Sequence, residues 1–239
     1  MHVTNDPIWL GVGEKKVVWL CEIGLLKFWD PKAKTTNTLR PIPMFESNLG
    51  EDPHAILERW LEEAKLADPA RWDAMVLATA TLEGAPSARV VLLRGCDRRG
   101  LVFFTNYGSR KGVELEENPA AALLFYWPAL RKQLRIEGDV ERVSRNESID
   151  YFNSRPLLSR YAACASSQSH SITSRKTLVA KFDELRRGDA EPNCPEHWGG
   201  FRLAPSAIEF WQEGEHRLHH RVRFDCTEDG AWTSTLLAP

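Results

Sequence analysis

From Ala74 onward, short runs of strand-forming residues are cut apart by turn signals, and this rhythm restricts the fold more than any other feature of the sequence. Ala74–Thr81 and Ala88–Gly95 flank a turn holding Glu83-Gly84, and Leu101–Thr105 follows a turn that ends at Gly100, which predicts a meander. The apolar run Ala121–Trp127 predicts a buried strand. Gln133, Arg135, Glu137 and Asp139 alternate with Leu134, Ile136 and Val140, which predicts a half-buried strand with one wet face. Further short strands are expected near Phe201–Leu203, Ala207–Gln212, Arg221–Phe224 and Trp232–Leu236. Helix signals lie between the strands without strictly alternating with them. Asp52 and Pro53 open an amphipathic stretch with Ile56, Trp60, Leu61 and Ala64 on one face. Ser109 caps a segment to Asn118 that Pro119 closes, Ser144 with Glu147 forms a capping box for a helix to Asn153, and Ser174–Arg187 is a further helix. The pattern predicts a mainly β, antiparallel barrel with appended helices, and fits a doubly wound parallel sheet poorly.

A chain of 239 residues can bury a self-sufficient core. With 43% hydrophobic and 27% charged residues, collagen-like, low-complexity and disordered classes are excluded. The net charge is -2, so nothing drives the whole molecule toward nucleic acid or an anionic membrane, and any basic site must be local. Cys21, Cys96, Cys164, Cys194 and Cys226 are scattered and lack a C-x-x-C pair; reduced thiols in a cytoplasmic protein are expected, with no disulfide framework and no metal site. Val17–Trp29 is interrupted by Glu22 and Lys27 and falls short of the ~20 apolar residues of a membrane span, and no signal peptide is evident. Residues 1–45 differ from the rest: Trp9, Trp19 and Trp29 follow no period, and a polar Lys32–Asn37 stretch precedes Pro41, Pro43 and Met44. They are expected to be either an extension upstream of a natural start at Met44, or a divergent lid or dimer arm with buried tryptophans. Residues 46–239 form the main domain.

No Gly-rich phosphate loop occurs. Three basic clusters stand out. Arg89 and Arg94 bracket Val90–Leu93, Ser109-Arg110-Lys111 opens a helix, and Arg217-Leu218-His219-His220-Arg221 enters a strand. A helix start offers free N–H groups and partial positive charge, so the second cluster suits phosphate, though spacing alone slightly favours a solvated surface pair. Arg217, His219 and Arg221 share a face if their strand begins early, either as a cationic wall or as an edge row that blocks pairing. Trp211 reads as core by base rate, and His170 and His197 show no ligand spacing.

Arg89-Val-Val-Leu-Leu-Arg94, Phe103-Phe-Thr-Asn106, Ser109-Arg-Lys-Gly112, Leu124-Phe-Tyr-Trp127, Tyr151-Phe-Asn-Ser-Arg-Pro156, Trp198-Gly-Gly200, Glu209-Phe-Trp-Gln212, Arg217-Leu-His219 and the terminal Leu236-Leu-Ala-Pro239 stand in the order and spacing of the pyridoxamine 5'-phosphate oxidase family. The resemblance runs from about Asp52 to Pro239. It implies an FMN-binding split barrel of Greek-key, antiparallel type, homodimeric, with FMN at the subunit interface. The implied reaction oxidises pyridoxamine 5'-phosphate or pyridoxine 5'-phosphate to pyridoxal 5'-phosphate, with O2 as acceptor giving H2O2, the last step of vitamin B6 cofactor synthesis and salvage.

Residue by residue, the resemblance places Arg89, Val90, Val91, Leu92, Leu93, Arg94, Phe104, Thr105, Ser109, Arg110, Lys111, Gln133, Trp211 and Arg221 around FMN, with Gln168 and Ser169 reaching it from the partner subunit. It assigns the substrate phosphate to Arg94, Tyr151, Arg155 and Ser159, and the substrate ring to Arg217, Leu218 and His219, with Arg217 and His219 as the catalytic pair. The chain departs from the family pattern at Arg94, usually Lys; at His220, usually Asp; and at Arg160-Tyr-Ala-Ala-Cys164, usually Q-I-G-A-W. The family's N-terminal Arg and Tyr over the substrate have no match in residues 1–45. Two alternatives accompany these expectations: an FMN oxidase of the phenazine-biosynthesis type, or a non-catalytic carrier of FMN or pyridoxal phosphate.

Overall fold

Three short strands, β1 (Trp9–Val12), β2 (Lys15–Val18) and β3 (Lys27–Trp29), pair antiparallel in sequence order. They belong to a unit, Met1–Ile42, distinct from Pro43–Pro239. The computed structural model describes residues 9–12, 15–18, 27–29, 49–188 and 191–239. The expectations attached to Trp19, Lys32–Asn37, Pro41, Pro43 and Met44, and the side-chain burial expected of Trp9 and Trp29, lie outside the described residues.

The larger unit opens as its sequence predicts. Asp52 accepts from the His54 N–H at 3.0 Å, Pro53 takes the first helical position, and α1 runs Pro53–Ala67. Its apolar face (Ile56, Leu57, Trp60, Leu61, Ala64) is buried, with Trp60 edge-on to Phe210 at 5.0 Å. Lys132 Nζ sits 4.4 Å from the Trp60 ring and pairs with Glu63, so the one cation caps both an aromatic face and a carboxylate.

The strands β4 (Ala74–Ala80), β5 (Pro86–Leu92), β6 (Gly95–Asp97), β7 (Gly100–Asn106), β8 (Ala120–Trp127), β9 (Lys132–Arg142), β10 (Trp198–Gln212), β11 (His220–Cys226) and β12 (Trp232–Leu236) form one antiparallel sheet. Its main path runs β12-β11-β10-β9-β8-β4-β5, with β7 pairing both β6 and β10. Between β5 and β6 the Leu93 N–H donates to Asp73 O and the Arg94 N–H donates to Val102 O, both at 2.8 Å. This short segment therefore ties the β4–β5 edge to β7 and curls the sheet into a barrel.

Two expected strands, Phe201–Leu203 and Ala207–Gln212, are one strand, β10, of 15 residues. Along one edge Trp198–Leu203 pairs with β7 and Ala207–Gln212 with β11, while the other edge stays on β9 with a register shift between Pro205 and Ala207. Pro205 lies between the two expected segments, but a residue without an N–H loses no ladder bond where the partner changes, so the strand passes through it as a bulge. The backbones close tightly here. A Cβ on Gly138 would lie 2.0 Å from Ala204 O, and one on Gly100, at φ +135°, would lie 1.9 Å from Leu203 O.

The barrel interior takes alternate residues, among them Leu77, Phe103, Leu123, Phe125, Leu134, Ile136, Ile208 and Phe210, all fully buried. Ala121–Trp127 is accordingly buried on one face only: Tyr126, on the opposite face, is 57% exposed. Outside the barrel lie α2 (Arg110–Glu117), α3 (Arg145–Ser154), α4 (Leu157–Ala165) and α5 (Arg175–Arg187), the first, second and fourth capped by Ser109, Ser144 and Ser174 as predicted. Sequence reading missed α4 because its N-cap is Pro156, which makes no side-chain cap bond. Cys96, Cys164, Cys194 and Cys226 are unpaired, and no described helix is long and apolar enough to cross a membrane.

Gly138→Ala is expected to cost about 1–3 kcal/mol through backbone overpacking at the bulge. Thermal unfolding checks this as a midpoint lowered by roughly 2–4 °C per kcal/mol. Gly95→Ala, whose Cβ would meet Val102 at an ordinary 3.5 Å, should leave the midpoint unchanged.

Candidate active site

A cleft of about 900 Å³ opens between β5, the end of β7, the start of α2 and the α3–α4 segment. It has two cationic poles. At the first, Ser109 caps α2: its Oγ accepts from the Gly112 N–H at 3.3 Å and donates to Asn106 O at 2.6 Å. Lys111 is 7% exposed, and its three ammonium protons go to Thr105 Oγ1 (3.2 Å), Ser109 Oγ (3.2 Å) and Gln168 Oε1 (3.3 Å). Burial, and then the neighbouring Arg89, pull its pKa from 10.5 down to about 8.

Arg89 Nη1 donates to Leu77 O (3.1 Å) and Thr79 Oγ1 (2.6 Å), and its Nη2 to Ser87 Oγ (2.7 Å) and Glu114 Oε2 (3.2 Å). Glu114 also accepts from Arg110 Nε at 2.7 Å and from the Thr79 hydroxyl. Burial alone would push the Glu114 carboxyl up, but hydrogen bonds from Thr79, Arg110 and Arg89 outweigh it and hold the group below the usual carboxylate range.

The second pole is aromatic-walled. Tyr151 stacks on Phe104 at 4.0 Å, Trp198 stacks on Phe104 at 5.6 Å, and the Arg155 guanidinium lies 4.8 Å from the Trp198 ring. Arg155 Nη1 is buried without a hydrogen-bond partner, and burial lowers the pKa of the group. A buried cationic N–H left unsatisfied costs on the order of 1–3 kcal/mol, and an anion in the cleft would satisfy it. Ser159 lines the same pole. Arg94 lines it too, but its Nη1 is held by Asp73 Oδ2 at 2.5 Å and Leu93 O at 3.1 Å.

The cleft thus gathers Arg89, Val90, Val91, Leu92, Arg94, Phe104, Thr105, Arg110, Lys111, Tyr151, Arg155 and Ser159. It also takes in Gln168 and Ser169, and Gln168 accepts from Lys111 of the same chain. Two residues expected at this end of the chain's cleft, Leu93 and Ser109, do not line it. Leu93 follows strand alternation into the core at 4% exposure, and Ser109 spends its hydroxyl on the helix cap. Arg160, at a position departing from the family pattern, pairs with Glu191 at 2.9 Å and is not part of the wall.

Gln133, Trp211, Arg217, Leu218, His219 and Arg221 form a second group away from this cleft. Tyr126, Gln133, Trp211 and Arg221 stand in register across β8, β9, β10 and β11. Glu209, 3% exposed, orders the row beside them by accepting from Arg135 at 3.1 Å and Arg221 at 2.8 Å. Arg217 and His219 would share a strand face with Arg221 only if the strand expected near Arg221–Phe224 began early. Instead β11 begins at His220, and Glu215–Arg217 is a tight 3-10 turn with His216 and Arg217 at positive φ, 55° and 67°. His219 packs 4.7 Å from Trp211, and its Nδ1 accepts from the Gly214 N–H at 3.2 Å. An amide can donate only to an unprotonated ring nitrogen, so Nε2 carries the proton.

Sequence reading missed Glu114, Asp73 and Trp198 as site residues. Only the Arg110–Glu114 helical spacing was a usable signal, because the contacts to Arg89 and Arg94 come from other strands and loops.

The profile described as pyridoxamine 5'-phosphate oxidase matches residues 62–187, and the pyridoxine 5'-phosphate oxidase C-terminal dimerisation region matches residues 198–239. The pyridoxine/pyridoxamine 5'-phosphate oxidase of Cupriavidus pinatubonensis is 48% identical over 195 residues, 81% of this chain and 92% of the relative. The protein of the same name from Burkholderia orbicola is 50% identical over 198 residues, with the same shares. Among solved structures, PhzG from Burkholderia lata in complex with tetrahydrophenazine-1-carboxylic acid superposes with a TM-score of 0.73 at 35% identity, covering 79% of this chain and 93% of its own. A pyridoxamine 5'-phosphate oxidase-related, FMN-binding protein from Nostoc punctiforme, 18% identical, shares the fold with a TM-score of 0.63, over 75% of this chain and 95% of its own.

Anion affinity at the first pole should fall as pH rises through about 8, where Lys111 loses its charge. Titrating the protein with inorganic phosphate at several pH values checks this, and Lys111→Met should flatten the dependence. The sign for stability is opposite: between pH 8 and 10.5 the unfolded chain holds a proton that the folded chain has shed, so this group makes the fold gain stability as pH rises.

Proposed function

The chain belongs to the pyridoxamine 5'-phosphate oxidase family, and from that premise we propose that it oxidises pyridoxamine 5'-phosphate or pyridoxine 5'-phosphate to pyridoxal 5'-phosphate with FMN as cofactor and O2 as acceptor. FMN supplies the two-electron acceptor and returns the electrons to O2 as H2O2. The observation that carries the reading is the pair of separate anion poles in one cleft, as a phosphorylated cofactor and a phosphorylated substrate require. Lys111, Arg110 and the capped start of α2 fit a phosphate monoester. The unpartnered Arg155 Nη1, with Tyr151 and Ser159, fits a second.

We further infer a homodimer whose second copy completes the cleft. Gln133, Trp211, Arg217 and His219 lie away from the cleft of their own chain, and three of them fall in the matched dimerisation region. In that arrangement Arg217 and the Nε2–H of His219 hold the substrate ring in place, so orientation supplies much of the rate. A cytoplasmic location agrees with the unpaired thiols.

An oxidase of the phenazine type is favoured by the relative that binds tetrahydrophenazine-1-carboxylic acid and by the altered Arg160–Cys164 stretch. Arg155 counts against it, since that buried donor suits a substrate phosphate. Adding pyridoxamine 5'-phosphate to the FMN-loaded protein without oxygen should bleach the flavin, and air should restore it as pyridoxal 5'-phosphate accumulates. A flavin that stays oxidised would reject the substrate and leave the carrier or phenazine-type alternatives.

The shared cleft has its own test. Arg155→Ala and Arg217→Ala homodimers should each be nearly inactive. Subunits of the two variants mixed and reassociated should recover about a quarter of the wild-type activity, since each mixed dimer then has one intact cleft. No recovery would mean that both residues serve one chain.

A further inference from the structure

We propose that Glu114 is the positioning residue of the cofactor-phosphate pole, a buried anion whose task is to aim the cations that meet the phosphate. The proposal deepens the FMN reading and rests on it. A carboxylate with a 5% exposed side chain beside an anion site looks electrostatically wrong, since it opposes the charge the pole must bind. Its bonds give the reason. Glu114 takes Arg110 only at Nε, 2.7 Å away, and among the described residues the two terminal amino groups of Arg110 make no protein hydrogen bond. The guanidinium is thereby fixed with its outer fork free, the geometry that grips phosphate in bidentate fashion.

Arg89 is treated differently. Both its terminal amino groups are already engaged by Leu77, Thr79, Ser87 and Glu114, so it contributes charge from a locked position. Glu114 is thus the common acceptor of one locked and one presenting arginine. The Thr79 hydroxyl, bonded to both Glu114 and Arg89, closes the set.

Coulomb attraction alone and positioning predict opposite signs. Removing a negative charge beside the pole should tighten phosphate binding if charge is all that matters. If Glu114 positions the fork, its loss should weaken binding. The test removes flavin from the full-length protein and measures rebinding of FMN and of riboflavin, which lacks the phosphate, by flavin fluorescence quenching. Glu114→Gln keeps the shape and an acceptor oxygen; Glu114→Ala removes both.

The expected result is an FMN affinity weakened about tenfold or more in Glu114→Ala and less in Glu114→Gln, with riboflavin affinity unchanged in both. In an Arg110→Ala background, Glu114→Gln should have little further effect, because the fork it aims is gone. This coupling is informative even if Glu114→Ala fails to fold. FMN affinity unchanged or tightened in Glu114→Gln, or equal losses for FMN and riboflavin, would overturn the proposal. A wild-type protein that binds FMN no better than riboflavin would instead overturn the FMN-phosphate reading beneath it.

Discussion

Strand β10 has to satisfy two different partners along one edge, and most of the molecule follows from how it does so. Its first half pairs with β7 and its second with β11, while β9 accompanies it on the other side. Pro205 makes the exchange cheap, because at that point there is no N–H to leave unpaired. Gly100 and Gly138 make it possible, because carbonyls of Leu203 and Ala204 occupy the space their side chains would need. The first half thereby closes the barrel that carries the cleft. The second half pairs with β11, and Trp211 on it packs against His219 in the turn between the two strands. One strand therefore carries residues of both groups, Trp198 at the cleft end and Trp211 at the other.

The cleft handles its positive charge in two ways. At the α2 pole, cations meet protein acceptors: the buried Lys111 two hydroxyls and an amide, the half-buried Arg89 and the exposed Arg110 the carboxylate of Glu114. Burial still costs enough to bring Lys111 down to about 8, which leaves the pole charged but readily tuned near neutral pH. At the Arg155 pole the match is incomplete, with one buried nitrogen waiting for an acceptor. Arg94 lies between these cases. Its guanidinium lines the cleft while one terminal amino group is held by Asp73, a carboxylate just before β4.

What was legible in the chain was local. Alternation in Gln133–Val140, the caps at Asp52, Ser109, Ser144 and Ser174, and the turn at Glu83-Gly84 each report a structure that a few neighbouring residues decide, and each stands where expected. The misreadings are of another kind. The one strand β10 read as two because partner exchange on one edge has no local signature, and α4 lacked a side-chain cap. Whether Arg217 and His219 belonged to the strand was left open by the local sequence, and the turn at Glu215–Arg217 decides it.

The sequence by itself determined the mainly β antiparallel class, the helix starts and the residue types able to meet two phosphates, because propensity, capping and the ordered motifs are properties of short segments. Only the tertiary structure decided which of those residues meet. It brought Gln168 to Lys111 across 57 positions, turned Leu93 inward, set Asp73 against Arg94, and buried Glu114 between two arginines from different elements. Those outcomes depend on how a closed sheet brings distant backbone together, and side-chain burial and charge pairing follow from that closure rather than from any spacing along the chain.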